Sequence, residues 1–251
     1  MAQFVEIDRL ANTFNEMLSR LEETFVMRRD FISNASHELR TPLGVMMIQL
    51  EVALLSERTP QEYKRILVSL LDDIKNLKQL MNGLLELTET NYNTESIKMY
   101  PIRIDELLWH AKSDLLTQHP GYKVVERYTL IPEDQKKLIV NGNELLRSAL
   151  INIMSNGCKY SLDNQVYISL EAKDDMVTIT CTDMGIGIPE EEVKKVFQPF
   201  FRGSNAKLFS GNGLGLALTK KIIELHKGIL HIDSKLNEYT RLTVILPSRV
   251  N

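Results

Sequence analysis

Four stretches of this 251-residue sequence bring chemically capable side chains together at spacings that chemistry could use. In "FISNASHELRTPLGVMMIQLE" the imidazole of His37 stands beside the carboxylate of Glu38, with Thr41 one helical turn on and Pro42 behind it. An exposed neutral imidazole, with a pKa of about 6.5, is a competent nucleophile or base at neutral pH. An adjacent carboxylate can hold one ring nitrogen as N–H and make the other more basic. In "CTDMGIGIP" Asp183 ends a β-branched run, and Gly185 and Gly187 follow at alternate positions. A carboxylate fixed there can accept from an exocyclic amine, while the glycines let the backbone turn and approach a flat ligand. In "SGNGLGLALTKKIIELH" Gly211, Gly213 and Gly215 alternate just before a helix. Bare backbone N–H groups and the helix dipole suit phosphate at such a place. "NELLRSALINIMSNGCKYS" sets Asn152 and Asn156 on one helical face, with Lys159 three residues further. An amide oxygen suits Mg²⁺ and a lysine suits phosphate.

Each stretch also has a plain alternative: a solvated surface histidine, an Asp/Gly turn, an ordinary helix start, a polar outer face. The last is weakened by Leu150, Ile151, Ile153 and Met154, which crowd the two asparagines. Three other chemistries are excluded. A His-Glu-x-x-His zinc helix would need a second histidine where Thr41 stands. No Gly-Lys-Ser/Thr completes a phosphate loop, and Leu216 occupies the place of the third glycine in a dinucleotide fingerprint. "VFQPFFRGSNAKLFS" reads as a mobile lid, with four phenylalanines as anchors and Arg202 and Lys207 as cations for phosphate.

The elements that must position these residues follow from hydrophobic spacing. Apolar residues recur at three and four from Val5 to Leu55, including Ile32, Ala35, Leu39, Leu43, Met46, Leu50 and Ala53. At about 100° per residue, His37 lies roughly 160–200° from Ala35 and Leu39 and so points outward, sharing a face with Thr41. Pro42 is expected to bend or loosen the helix. "SERTPQEY" breaks the pattern, with Thr59 and Glu62 placed for a capping box and Pro60 suited to the first helical position. A second helix follows through Leu87. One such hairpin is too narrow to bury both seams, so a dimeric four-helix bundle is expected.

After "TETNYNTES" the pattern changes to short strands: "SIKMYPIRI", "YKVVERYTLI", "KKLIVNG", "VYISLEAKD", "MVTITCTD" and "RLTVILPS". Helices are expected between them over 105–117, 143–160, 190–197 and 214–226. That mixture predicts an α+β sandwich of one sheet and one helical layer. The boundary is placed near 91–96. The net charge of -3 supplies no basic field for nucleic acid, and no apolar run reaches the roughly 20 residues that span a bilayer. Cys158 and Cys181 match no metal spacing and are expected as small buried residues.

The order of these stretches resembles the sensor histidine kinases of two-component systems. "FISNASHELRTPL" looks like their H box, "NIMSNGCKYS" the N box, "DMGIGIP" the G1 box, "VFQPFFRG" the F box and "GNGLGLAL" the G2 box. The opening "EIDRLANTFNEMLSRLEE" resembles the last helix of a HAMP relay. The resemblance implies three regions: 1–24, the HAMP-like end; 25–93, a dimerisation and phosphotransfer hairpin; and 94–251, a Bergerat-type ATP-binding domain. It implies that His37 attacks the γ-phosphate of ATP with Glu38 as base or orienting group, and that Thr41 serves a regulator phosphatase activity. Asp183 would bind the adenine amine, Asn156 would ligate Mg²⁺ beside Asn152, Lys159 would approach phosphate and Tyr160 would pack on the base. Arg202 would meet phosphate, and Gly185, Gly187, Gly211, Gly213, Leu214 and Gly215 would shape the nucleotide loops. The implied partners are a second copy of the chain and the receiver domain of a response regulator. A membrane anchor outside this sequence is implied too, with these residues in the cytoplasm. The rival readings are a non-catalytic scaffold that binds a regulator, and an ATPase of the same fold without a phosphohistidine. Gly157 and Asn212 depart from the residues usual in such boxes without removing a ligand.

Overall fold

The structure, a computed structural model, describes the backbone of residues 2–92, 98–127 and 135–248. The expected boundary at 93/94 lies outside the described residues, as do the first two residues of "SIKMYPIRI" and the last four of "YKVVERYTLI". The chain divides into two compact units, Met1–Lys78 and Gln79–Asn251.

The first unit holds helix α1 (Ala2–Leu54) and most of helix α2 (Pro60–Tyr92), which continues into the second. Helix α1 runs through Pro42 without a break. Proline removes the N–H that would serve the carbonyl four residues back, and the Thr41 hydroxyl donates nearby, to the carbonyl of His37 at 3.1 Å. The capping box at α2 forms as its residue types dictate. The Thr59 N–H and hydroxyl both donate to Glu62 at 2.8 Å, and the Glu62 N–H donates back to the Thr59 hydroxyl at 3.3 Å. The two helices are joined by Gln49 donating to Asp73, with Met46, Ala53 and Leu70 buried. The expected seam is divided by this packing: Ile32, Leu43 and Leu50 stay 47–56% exposed.

In the second unit the elements are β1 (Tyr100–Arg103), α3 (Ile104–Gln118), β2 (Lys123–Glu126), β3 (Ile139–Gly142), α4 (Leu145–Tyr160), β4 (Ser161–Lys173), β5 (Met176–Gly185), α5 (Gly215–Leu225), β6 (Ile229–Lys235) and β7 (Tyr239–Pro247). A five-stranded sheet has the order β2-β4-β5-β7-β6, with β2 parallel to β4 and every other pair antiparallel. The expected single sheet is thus joined by a second, two-stranded one, β1-β3. Pro101 in β1 cannot donate to another ladder, which suits a strand at an edge. The β4–β5 hairpin turns at Asp174 and Asp175, both at positive φ, the conformation that matches strand twist.

Strand parity builds the core. Val166, Ile168 and Leu170 on β4, Val177, Ile179 and Cys181 on β5, and Val244 and Leu246 on β7 are buried. They meet Ile104, Leu108 and Leu115 of α3, Leu146, Leu150, Ile153 and Met154 of α4, and Ile222 and Ile223 of α5. Burying each large aliphatic side chain is worth about 1.5–3 kcal/mol. A polar tie joins two of these helices. His226, just past α5, accepts from the Asn143 N–H through Nε2, so its Nδ1 carries the proton and donates to the Ile222 carbonyl at 2.7 Å.

The helix expected over 190–197 does not form. Glu190–Glu192 make a single 3₁₀ turn, and i→i+3 bonds continue through Lys195 and Gln198. Nine residues between Pro189 and Pro199 are too few to offset helix nucleation. Val193, Val196 and Phe197 instead pin the segment to the core individually.

Candidate functional site

His37 is on the outer face of α1, its side chain 77% exposed, with Nδ1 4.0 Å from the Glu38 carboxylate. At that separation the carboxylate orients the ring loosely and leaves Nε2 open to solvent. Thr41 sits on the same exposed face.

The second unit holds a cavity of about 280 Å³ between α4, the loop after β5, the lid segment and the start of α5. Ile232, Thr240 and Leu242 on the sheet add to its lining. The alternation that buries Val177, Ile179 and Cys181 carries on to Asp183, which is 5% exposed although its side chain is a carboxyl. Its Oδ1 has no hydrogen-bond partner among the described residues. Burial pushes the carboxyl up to about 7, against the opposing pull of the Asp183 and Gly185 backbone N–H groups. A buried acceptor of this kind is costly unless a donor enters the cavity.

Helix α4 presents Asn152, Asn156, Lys159 and Tyr160 to the cavity. Asn152 donates to the Thr219 hydroxyl of α5 at 2.7 Å, so it ties the two helices together as well as lining the site. Asn156 lines the cavity and makes no side-chain hydrogen bond among the described residues. Both cations of the site are engaged by the lid. Lys159 donates to the Ser210 carbonyl, and Arg202 donates to the carbonyls of Ala206 at 3.0 Å, Lys207 at 3.2 Å and Phe209. Burial and the neighbouring Arg202 together lower the Lys159 pKa. The Tyr160 ring meets Phe209 of the lid edge-to-face at 5.1 Å.

Gly187, Gly211, Gly213 and Gly215 line the cavity. Gly187 adopts φ +59°, and a Cβ there would collide with the Lys235 carbonyl. Two expected residues stand apart from the lining. Gly185 packs its backbone against the Tyr160 carbonyl, where any side chain would clash. Leu214 is 2% exposed and turns toward Gly83 of α2. Its place beside three glycines in sequence does not fix the direction of its side chain. Asn205 and the sheet residues were not anticipated. The alternation along β7 could have indicated Leu242, whereas nothing in "GSNAK" singles out Asn205.

These features fit a magnesium nucleotide: an orphaned carboxylate oxygen for an amine, an uncommitted amide oxygen for a metal, two cations and a glycine-lined wall for phosphates. Among the described residues no cluster of His, Cys, Asp or Glu could hold a metal ion unaided, and no helix is long and apolar enough to cross a membrane.

Comparison with known proteins agrees with this geometry. The model for the histidine kinase-, DNA gyrase B-, and HSP90-like ATPase family matches residues 141–250, and that for the His Kinase A (phospho-acceptor) domain matches residues 27–92. The signal transduction histidine-protein kinase ArlS of Staphylococcus haemolyticus is 31% identical over 246 residues, covering 96% of this chain and 53% of the relative. The chain therefore spans about half the length of the curated relatives it matches. Among solved structures, the Acinetobacter baumannii histidine kinase AdeS shares the fold with a TM-score of 0.64 at 22% identity, over 85% of this chain and 98% of that one. Histidine kinase ThkA, in its complex with response regulator protein TrrA, aligns with a TM-score of 0.69 at 20% identity, over 88% of this chain and 61% of that one.

Proposed function

The chain belongs to the sensor histidine kinases of two-component systems, and from that premise we propose that it transfers the γ-phosphoryl group of ATP to His37 and then to an aspartate on a response regulator. The observation that carries the reading is the unpartnered Asp183 Oδ1, buried in a glycine-lined cavity that also holds Asn156 and two cations. Asp183 accepts from the exocyclic amine of adenine and so selects the base. Asn156 offers its amide oxygen to Mg²⁺, and Lys159 and Arg202 turn from lid carbonyls to phosphate oxygens. The bound magnesium nucleotide supplies the transferable phosphoryl group with its charge partly screened. Such transfer depends mostly on positioning and charge neutralisation, which matches the division of labour among these residues. His37 supplies Nε2 as nucleophile while Glu38 holds Nδ1–H.

The exposed Ile32, Leu43 and Leu50 support pairing of the helical hairpin with a second copy as a four-helix bundle. The ThkA–TrrA complex supports a response-regulator receiver domain as partner. Thr41, on the His37 face, supports a phosphatase role in which its hydroxyl orients water toward the regulator's phosphoryl group. We read residues 1–24 as a HAMP-like relay leading from a membrane anchor, residues 25–93 as the phosphotransfer hairpin and residues 94–251 as the ATP-binding domain.

The test is incubation with Mg²⁺ and γ-labelled ATP beside His37→Gln and Asn156→Ala. Acid-labile, alkali-stable label on the parent alone is the expected result. Label that survives His37→Gln would overturn the assignment of the phosphoacceptor.

A further inference from the structure

The loop that follows the Asp183 strand β5 is tied to the lid by the side chain of Asn205. It lies in the 3₁₀ turn Ser204–Ala206 at the root of the lid. Its Nδ2 donates to the Gly187 carbonyl at 2.9 Å and to the Ile186 carbonyl at 3.3 Å. The N–H of the same peptide that carries the Gly187 carbonyl, that of Ile188, donates to the Ser234 hydroxyl at 3.0 Å. That peptide plane is therefore held from both ends. A second bond anchors the turn itself: the Ser204 N–H donates to the Glu192 carboxylate at 3.0 Å. Asn205 and Gly187 both line the cavity. Beyond them, the lid from Ala206 to Ser210 hangs on Arg202 and Lys159, the two groups assigned to phosphate.

We propose that Asn205 is a positioning residue that fixes the distance between the base-binding wall and the lid root, so that the lid moves on phosphate binding only beyond residue 205. The inference rests on the nucleotide reading of this cavity. The chemistry requires an amide: two carbonyl oxygens converge on Nδ2, and only a group with two N–H donors satisfies both. An aspartate of the same size offers only acceptors and would repel both carbonyls. Release of Arg202 and Lys159 to phosphate frees the lid tip, while Asn205 keeps its root in register with Asp183. Without that tie the lid root and the base wall fluctuate independently, and bound nucleotide escapes faster.

The experiment uses the full chain as parent, Asn205→Ala and Asn205→Asp. Trypsin cleavage after Lys207, an exposed lid residue, is followed by mass spectrometry without nucleotide. Release of a fluorescent ATP analogue and the melting temperature are measured alongside. Both variants are expected to be cut several-fold faster at Lys207 and to release the analogue about 10-fold faster, as loss of two neutral hydrogen bonds implies, with the melting temperature lowered by only a few degrees and cutting elsewhere unchanged. Parent-like cutting in Asn205→Asp would overturn the inference, since that variant keeps the shape and loses only the donors. Faster cutting spread over lysines and arginines throughout the chain, and not confined to Lys207, would also overturn it, showing a general structural role. Failure of the parent itself to bind the analogue would instead sink the nucleotide reading, and the cutting rates distinguish that result from failure of the Asn205 tie.

Discussion

Burial of Asp183 costs the folded chain stability that a donor entering the cavity would return. Its carboxyl is pushed up to about 7, above its ordinary value, because the buried charge has little solvent. Between the ordinary carboxylate range and pH 7 the folded chain holds a proton that the unfolded chain has released. Stability therefore falls as pH rises through that window and levels off above it. Asp183→Asn removes the titration. Its melting temperature is expected to exceed the parent's at pH 8, with the gap closing toward pH 5, in a thermal melt across pH. Nucleotide binding runs the other way. An amine donor favours the carboxylate, so affinity in the parent rises through pH 7, and Asp183→Asn weakens it about 10–100-fold, the scale of a charge-assisted hydrogen bond; calorimetric titration at pH 6 and pH 8 reads both effects. The Asp-x-Gly-x-Gly spacing marks this residue out in the sequence, with a simple Asp/Gly turn as the alternative. Its orphaned oxygen was not legible, because satisfaction depends on neighbours from distant elements. The burial of Leu214 toward Gly83 was illegible for the same reason: a motif gives a position along the chain, and only packing gives a side chain its direction.

Helix α4 and strand β4 approach so closely that the helix has no room for a methyl group at Gly157. A Cβ there would lie 2.5 Å from Val166 Cγ2 and 3.0 Å from its Cβ. Alanine would raise helix propensity by about 1 kcal/mol. Forcing an added methyl against a β-branched strand residue costs about 1–3 kcal/mol, so overpacking wins. Gly157→Ala is expected to lower stability in urea, and a second change, Val166→Ala, is expected to recover part of the loss, a non-additivity that identifies the contact. Stability unchanged in Gly157→Ala would show that Val166 yields freely. Element existence was well marked in the sequence where periodicity ran long, as in α1, α2 and α4. It failed over 190–197, where two prolines bracket a short, largely charged stretch whose few apolar residues, Val193, Val196 and Phe197, anchor singly. The capping box at Thr59 and Glu62 was legible because its chemistry is local, complete within four residues.

At the scale of the whole molecule, the two units raise different demands on the sequence. The hairpin leaves a row of half-exposed aliphatics that a single chain does not cover, whereas the sheet and its helices close around a core of their own. The sequence could announce the first through unbroken three-and-four spacing. It could not announce the strand order, because which short strands pair is settled by contacts far apart in the chain. Within the closed core lie two free thiols, Cys158 on α4 and Cys181 on β5, both buried. Burial pushes them up to about 11 and about 12. Alkylation needs both a thiolate and access, so neither reacts until helix and sheet part. The unmodified chain thus carries its own clock for opening. Saturating nucleotide at 100 times its dissociation constant should slow alkylation about 100-fold, measured by intact mass, whereas rapid alkylation of the native chain would place the thiols in a locally opening region. Because this clock runs on unfolding and not on phosphoryl transfer, it reports nucleotide affinity even in His37→Gln, the variant expected to take no label.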